Sequence, residues 1–196
     1  MKYPLIGLSV ILILAGCGVF DGDDDKDNTP SYSAQKYFPM KAGSSWAYKL
    51  TETDSTGTQK TPLTIINSIV GTTRQNNTTY TIIFDNEKQD SLLVRLQGNV
   101  IYALRQVGST QGNPSDVPYI DFNVQAGKSW TIYSQTYTLQ GFVISQDVKG
   151  TFIGVETVTV PKGIISGCLH YSITENTTIT SDGTTNSTTF QENIWL

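Results

Sequence analysis

From Tyr37 to the end of the chain, apolar and polar residues alternate with a period of two. Tyr80, Ile82 and Phe84 share one face of the run Thr79 to Asp85, and Leu92, Val94 and Leu96 share one face of Leu92 to Gln97. Successive strand side chains point to opposite faces, so this period predicts half-buried strands. Further runs are Trp46 to Thr53, Pro62 to Val70, Val100 to Gln106, Tyr119 to Val124, Ser129 to Tyr133, Tyr137 to Ser145, Val148 to Val160, Cys168 to Thr178 and Thr185 to Trp195. Turns are signalled at Gln97-Gly98-Asn99, Pro161-Lys162-Gly163 and Ser181-Asp182-Gly183, and Gly108 to Pro118 reads as a loop. An Asp-Gly step between two strand runs predicts a tight hairpin. No long window keeps a 3.6-residue apolar stripe, so crossover helices are not expected and the strands should pair antiparallel. A long antiparallel sheet must curl, split or close. The expected fold is therefore all-β: one antiparallel, strongly curved sheet of about ten strands, closing into a half-barrel or barrel. A two-sheet β-sandwich is the alternative.

The N-terminus breaks the alternation. An apolar run from Leu5 to Ala15 follows Lys2 and ends in Leu14-Ala15-Gly16-Cys17. A basic start, a short apolar stretch and small residues before a cut are the parts of a secretory signal, and the run is too short to span a bilayer. Leu14 to Cys17 resembles the lipobox of bacterial lipoproteins. That resemblance implies lipid on the Cys17 thiol, cleavage before Cys17 and acylation of the new amine. With several acyl chains the anchor is firm. The chain then divides into a signal peptide (1–16), a lipidated cysteine with an acidic tether (17–36) and a β domain (37–196). Gly18 follows the cysteine, where an Asp signals inner-membrane retention in such systems, so the expected place is the cell envelope, at the outer membrane.

Composition narrows the partners. The net charge is −4, which argues against nucleic acid, because phosphate binding needs a basic face. Charged residues make up only 15%, and Thr occurs 27 times, a β-branched residue suited to a half-exposed pleated surface. Of two cysteines, Cys17 is assigned to lipid, which leaves Cys168 alone and reads it as a small buried hydrophobe. Asp21, Asp23, Asp25 and Asp27 resemble part of a calcium loop. The twelfth position from Asp21 is Tyr32, not the bidentate Glu that an EF-hand requires. A hydrated, self-repelling tether is the plainer reading.

Chemistry is sparse. His170 is the only histidine, and alternation sets it with Ser172 on an outward face, opposite Leu169 and Tyr171. Standing alone, it builds neither a His-based metal site nor a Ser-His-Asp triad. Asp116, Asp121, Glu156 and Glu175 fall on different runs, and no spacing pairs them. No cofactor, metal or catalytic group is expected, and the chain is not expected to be an enzyme.

Two stretches echo each other 84 residues apart: Phe38-Pro39-Met40-Lys41-Ala42-Gly43-Ser44-Ser45-Trp46 and Phe122-Asn123-Val124-Gln125-Ala126-Gly127-Lys128-Ser129-Trp130. Each reads as a Gly turn launching a strand, with Phe and Trp clasping across it. Phe38, Trp46, Phe122 and Trp130 are thus candidates for core closure or for an aromatic ligand face, with Trp46 and Trp130 expected to be buried.

Tyr37-Phe38-Pro39, Gly43-Ser44-Ser45-Trp46-Ala47-Tyr48, Gly154 to Gly163 (a Gly-x-Glu-x-Val-x-Val-Pro-x-Gly stretch) and Cys168-Leu169 resemble a poorly characterised family of Gram-negative envelope lipoproteins. The likeness covers most of 37–196. It implies a curved sheet, loosely similar to lipoprotein carriers of the outer membrane, and brings no catalytic residues. The family pattern runs on past the last aromatic strand, where this chain stops at Leu196, so the β domain is read as open to being C-terminally incomplete. The expected function is a membrane-anchored, non-catalytic binding domain for lipid, hydrophobic cargo or an envelope protein. The alternative is a structural lipoprotein that meets protein or glycan; a hydrolase ranks below both.

Overall fold

A computed structural model describes residues 8–13, 32–38, 40–52, 63–106, 114–160 and 163–196. Strands dominate: β1 (Leu8–Ile13), β2 (Ser45–Glu52), β3 (Leu63–Gln75), β4 (Thr78–Asp85), β5 (Asp90–Gln97), β6 (Val100–Arg105), β7 (Ser115–Asp121), β8 (Lys128–Leu139), β9 (Phe142–Val160), β10 (Gly163–Ser181) and β11 (Thr184–Trp195). One short helix, α1 (Ala34–Tyr37), precedes β2. The chain is all-β, as the alternation predicts.

β2 to β7 form one antiparallel sheet and β8 to β11 a second. β1 lies between them, antiparallel to β2 and parallel to β11, giving the order β7-β6-β5-β4-β3-β2-β1-β11-β10-β9-β8. This corrects the all-antiparallel expectation at one ladder. Among the described residues, no sheet closes into a barrel through a backbone ladder. The two outer strands, β7 and β8, are joined instead by a side chain: the Trp130 indole N–H donates to the Pro118 carbonyl at 2.7 Å. The strand placed as β1 lies within the segment that the lipobox reading treats as a leader.

Turn chemistry accounts for the hairpins. Asn76-Asn77, Gln140-Gly141 and Asp182-Gly183 all have positive φ at both central residues, the geometry that matches strand twist in two-residue loops. The Gln140-Gly141 turn corrects one sequence-based element. The run Tyr137 to Ser145 is cut in two, so that Tyr137 ends up on β8 with Ser129 to Tyr133. The expected loop Gly108 to Pro118 also shortens, because Ser115 to Pro118 already belong to β7; 107–113 lie outside the described residues. The packed chain begins before the boundary at 37. Ala34 is buried, its N–H donates to Asn99 Oδ1 at 2.8 Å, and Tyr32 packs edge-on against Phe152.

The echo in sequence is an echo in structure. Ser44 N–H bonds to Lys41 O and Lys128 N–H to Gln125 O, each at 3.0 Å, around a glycine with φ of +86° (Gly43) or +76° (Gly127). Those glycines donate to Ile69 O and Phe152 O respectively. From there the registers correspond: Trp46 opposes Asn67 as Trp130 opposes Gly150, Ile69 opposes Ile83 as Phe152 opposes Tyr171, and Ile83 opposes Leu92 as Tyr171 opposes Ile194. A register shift follows Ile69 and Phe152 alike, at Gly71 and Gly154. Thus β2–β5 and β8–β11 are two copies of one four-stranded unit.

The core of the second copy is aromatic. Tyr171 is 1% exposed and meets Phe122, Trp130 and Phe152 at ring separations of 5.8, 6.1 and 4.9 Å. In the first copy the Tyr171 position is held by Ile83, and Ile69, Ile83 and Leu92 pack with Phe38 and Trp46. Beyond the core, the ends of β8–β11 nearest the Gln140 and Asp182 turns carry paired hydroxyls, Thr136 with Ser145 at 2.9 Å and Thr180 with Thr185 at 3.0 Å. These account for part of the threonine excess as cross-strand pairs.

Candidate functional site

A cleft of about 210 Å³ opens in the first copy. Phe38, Trp46, Ile83, Leu92, Tyr119, Ile120 and Ile194 form its apolar lining, and Asp85, Lys88, Asp90, Arg105 and Glu192 bring charge to it. The strands β2 to β7 and β11 and the β4–β5 turn all contribute.

Glu192 is the unusual member. On β11 the period of two sets it with Phe190, Ile194 and Leu196, and the last two are each 1% exposed. The core-facing stripe of this strand therefore contains a carboxylate. Among the described residues its side chain makes no hydrogen bond and no ion pair. Desolvation holds its carboxyl above the ordinary value, and the Lys88 and Arg105 charges offset that only in part. The other two carboxylates of the cleft have donors. Asp85 accepts the backbone N–H groups of Glu87 and Lys88 at 2.9 and 3.0 Å, and Asp90 accepts that of Ser91 at 2.7 Å.

The residues singled out by sequence are distributed differently. Phe38 and Trp46 meet edge to face at 5.7 Å, the expected clasp, and both line the cleft. Phe122 and Trp130 meet through Tyr171 between them rather than directly. Neither tryptophan of the echo is fully buried, which corrects that expectation; both are half-exposed because each lies at the rim of its copy.

The four carboxylates named earlier are not brought together. Asp116 pairs with Arg95 at 2.6 Å and accepts from Tyr80 at 2.9 Å; Asp121 accepts from Asn123; Glu175 accepts from Gln146 and Thr177. Glu156 belongs to a fourth network, which overturns the reading of His170 as an outward side chain without partners. His170 Nδ1 lies 2.8 Å from Glu156 Oε1 and Nε2 lies 3.0 Å from Asn193 Oδ1. Its ring stacks on Trp195 at 4.3 Å, while the Trp195 indole donates to Glu156 Oε2 at 2.9 Å. The hydrogen bonds from Trp195 and from His170 hold the Glu156 carboxyl below the usual range. The register shift between His170 and Tyr171 leaves Ile153 of β9 as the extra residue and keeps the alternation of β10: Leu169, Tyr171 and Ile173 are buried on one face, and Ser172, on the His170 face, is buried too and accepts from Gln191 at 3.0 Å. Cys168 is buried, and its thiol donates to the Ile165 carbonyl at 3.8 Å.

Cys17 and the calcium candidates Asp21, Asp23, Asp25 and Asp27 lie outside the described residues, as do Pro161 and Lys162 of the expected turn. Among the described residues, no three metal-ligating side chains cluster, and no helix is long and apolar enough to cross a membrane. Glu192 was missed by sequence reasoning, although its signal was present: it interrupts the apolar stripe Phe190, Ile194, Leu196. Lys88 and Arg105 gave none, since only the fold brings them to one cleft.

No protein-family profile, curated protein or solved structure matches the chain.

Proposed function

We propose that this chain is a bacterial envelope lipoprotein, anchored through lipid on Cys17 at the outer membrane, whose β domain binds a small ligand and performs no chemistry. The resemblance to envelope lipoproteins and the lipobox support the address. The cleft supports the activity: an apolar floor with a few charged groups is the usual form of a ligand site. Its volume of about 210 Å³ sits below the range typical of drug-sized ligands and favours a small molecule over a long acyl chain. The sheet then acts as a half-barrel that holds the cleft open. Against catalysis, the four carboxylates of the sequence reading are engaged in four separate hydrogen-bond networks, and the lone histidine shares one of them with Glu156. A structural role is the second reading, and the aromatic filling of the second copy favours it.

Two experiments test the proposal. Cys17→Ser should release the protein from the membrane fraction and change its mass by the loss of the acyl groups; an unchanged mass and location would remove the anchor. Mass spectrometry of natively expressed protein should find a small molecule co-purifying at a constant ratio. Its absence, together with failure of small amphipathic probes to bind, would favour the structural role.

A further inference from the structure

The cleft of the first copy is the counterpart of a filled space in the second. At the register position where Tyr171 inserts its ring among Phe122, Trp130 and Phe152, the first copy has Ile83 beside Phe38 and Trp46. Ile69 likewise stands where the second copy has Phe152, so this cluster lacks two rings that its twin contains, and room for a ring is left. Glu192 lines that same volume, and its carboxylate has no donor. Glu192 is partly buried, and an ionised carboxylate that has given up part of its water without gaining a partner is stabilised by a charged one. Lys88 and Arg105 line the cleft, yet neither reaches Glu192 within ion-pair distance. Asp85 and Asp90 already accept backbone donors, whereas Glu192 accepts none. Trp46 and Tyr119 also line the cleft, and aromatic rings of this kind attract a cation placed over their faces.

Building on the binding role proposed above, we propose that the cleft takes a small amphipathic organic cation: an apolar body of about one ring in the space beside Ile83, and a protonated amine against Glu192. The amine donates to the carboxylate, and the ring packs on Phe38 and Trp46. No covalent step is involved.

The test uses the full chain and three probes of one shape: 2-phenylethylammonium, the neutral 2-phenylethanol and the anionic 3-phenylpropionate. Calorimetry or amide chemical shifts give the affinities at pH 7. The ammonium probe should bind roughly tenfold tighter than the alcohol, the scale of one hydrogen bond to a charged group. Glu192→Gln should abolish that preference while leaving alcohol binding unchanged. Ile83→Phe should weaken both probes by filling the space. If Glu192→Gln does not fold, the wild-type pH series decides. The ammonium preference must fade as acid protonates Glu192, in a cleft that also presents Asp85, Asp90, Lys88 and Arg105. Equal binding of ammonium and alcohol, tightest binding of the anion, or a preference that survives Glu192→Gln overturns the assignment and leaves a binding role standing. If none of the three probes binds, the assignment and the binding role fail together.

Discussion

The Trp130 indole lies over Gly150, its cross-strand neighbour in the β8–β9 ladder, and a methyl group at position 150 would overlap the ring. Gly150 does not occupy the left-handed region, so its backbone tolerates alanine and only the ring objects. Gly150→Ala should therefore cost about 1–3 kcal/mol by overpacking. Trp130→Ala removes a half-buried indole and leaves Pro118 O without its donor. It should cost about 3–5 kcal/mol. In the Trp130→Ala background the sign at 150 changes. The overlap with the indole is gone, and alanine restricts the unfolded chain more than glycine does, so Gly150→Ala should become neutral or stabilise by about 0.4–1 kcal/mol. The coupling between the sites should then be roughly 2 kcal/mol. Trp130→Phe, which keeps a ring but loses the N–H, isolates the bond between the outer strands and should cost about 1 kcal/mol. Urea denaturation followed by far-UV circular dichroism gives all the values without relying on tryptophan emission. The same penalty for Gly150→Ala in both backgrounds would show that the ring does not cover the glycine, and the account of how the sheet ends are held would fall with it.

Two carboxylates should respond to pH with opposite sign. Glu192 has a raised folded pKa, so the wild type carries its penalty only as pH climbs past the ordinary carboxylate value; Glu192→Gln should raise Tm at pH 7 and lose that advantage near pH 4. Equal gains at both pH values would place the carboxylate in water. Glu156 has a lowered folded pKa, so its contribution is present above the ordinary value and lost as pH falls through the folded one. Trp195→Phe keeps a ring on His170 but removes the largest cause of that shift, so the variant should be less stable at pH 7 and approach the wild type in acid; a gap independent of pH contradicts the network. The acidic tether read from Asp21 to Asp27 should need no calcium, so chelator should leave Tm unchanged, and a fall of several degrees would revive the calcium reading.

Alternation located most of the β domain because period two is a backbone property and needs no partner. It lost accuracy where a local break lay hidden among ordinary residues. Gln140-Gly141 turns the chain with a Gln in the left-handed region, which propensity disfavours. Ser172 keeps the face that alternation gives it, yet it is buried there and accepts from Gln191, and alternation has no means to register what covers a face. His170 was the costliest error: its partners, Glu156 and Asn193, come from neighbouring strands whose register only the fold sets. The echo of Phe, Gly and Trp was legible, and so was the Phe38–Trp46 clasp. What those residues frame was not, because the cleft depends on a residue outside the echo.

That residue is Ile83, and it explains how one repeated backbone supports two different interiors. The glycine turn, the Trp at the start of the first strand and the shift at Gly71 or Gly154 set the same frame in both copies. The frame leaves one inward position where the two strands after the shift cross the line of the Trp. A tyrosine there touches three rings and fills the second copy. An isoleucine has neither the length nor the flat face to do so, and the first copy stays open by about the difference. A close-packed interior does not tolerate such a void without cost, since its lining loses contacts outright. Charged groups gather at this void, whereas the filled copy is closed by its own aromatic side chains. The opening thus lies where the first copy has Ile69 and Ile83 in place of Phe152 and Tyr171, and the carboxylate in it comes from β11, the strand that the second copy contributes to the cleft.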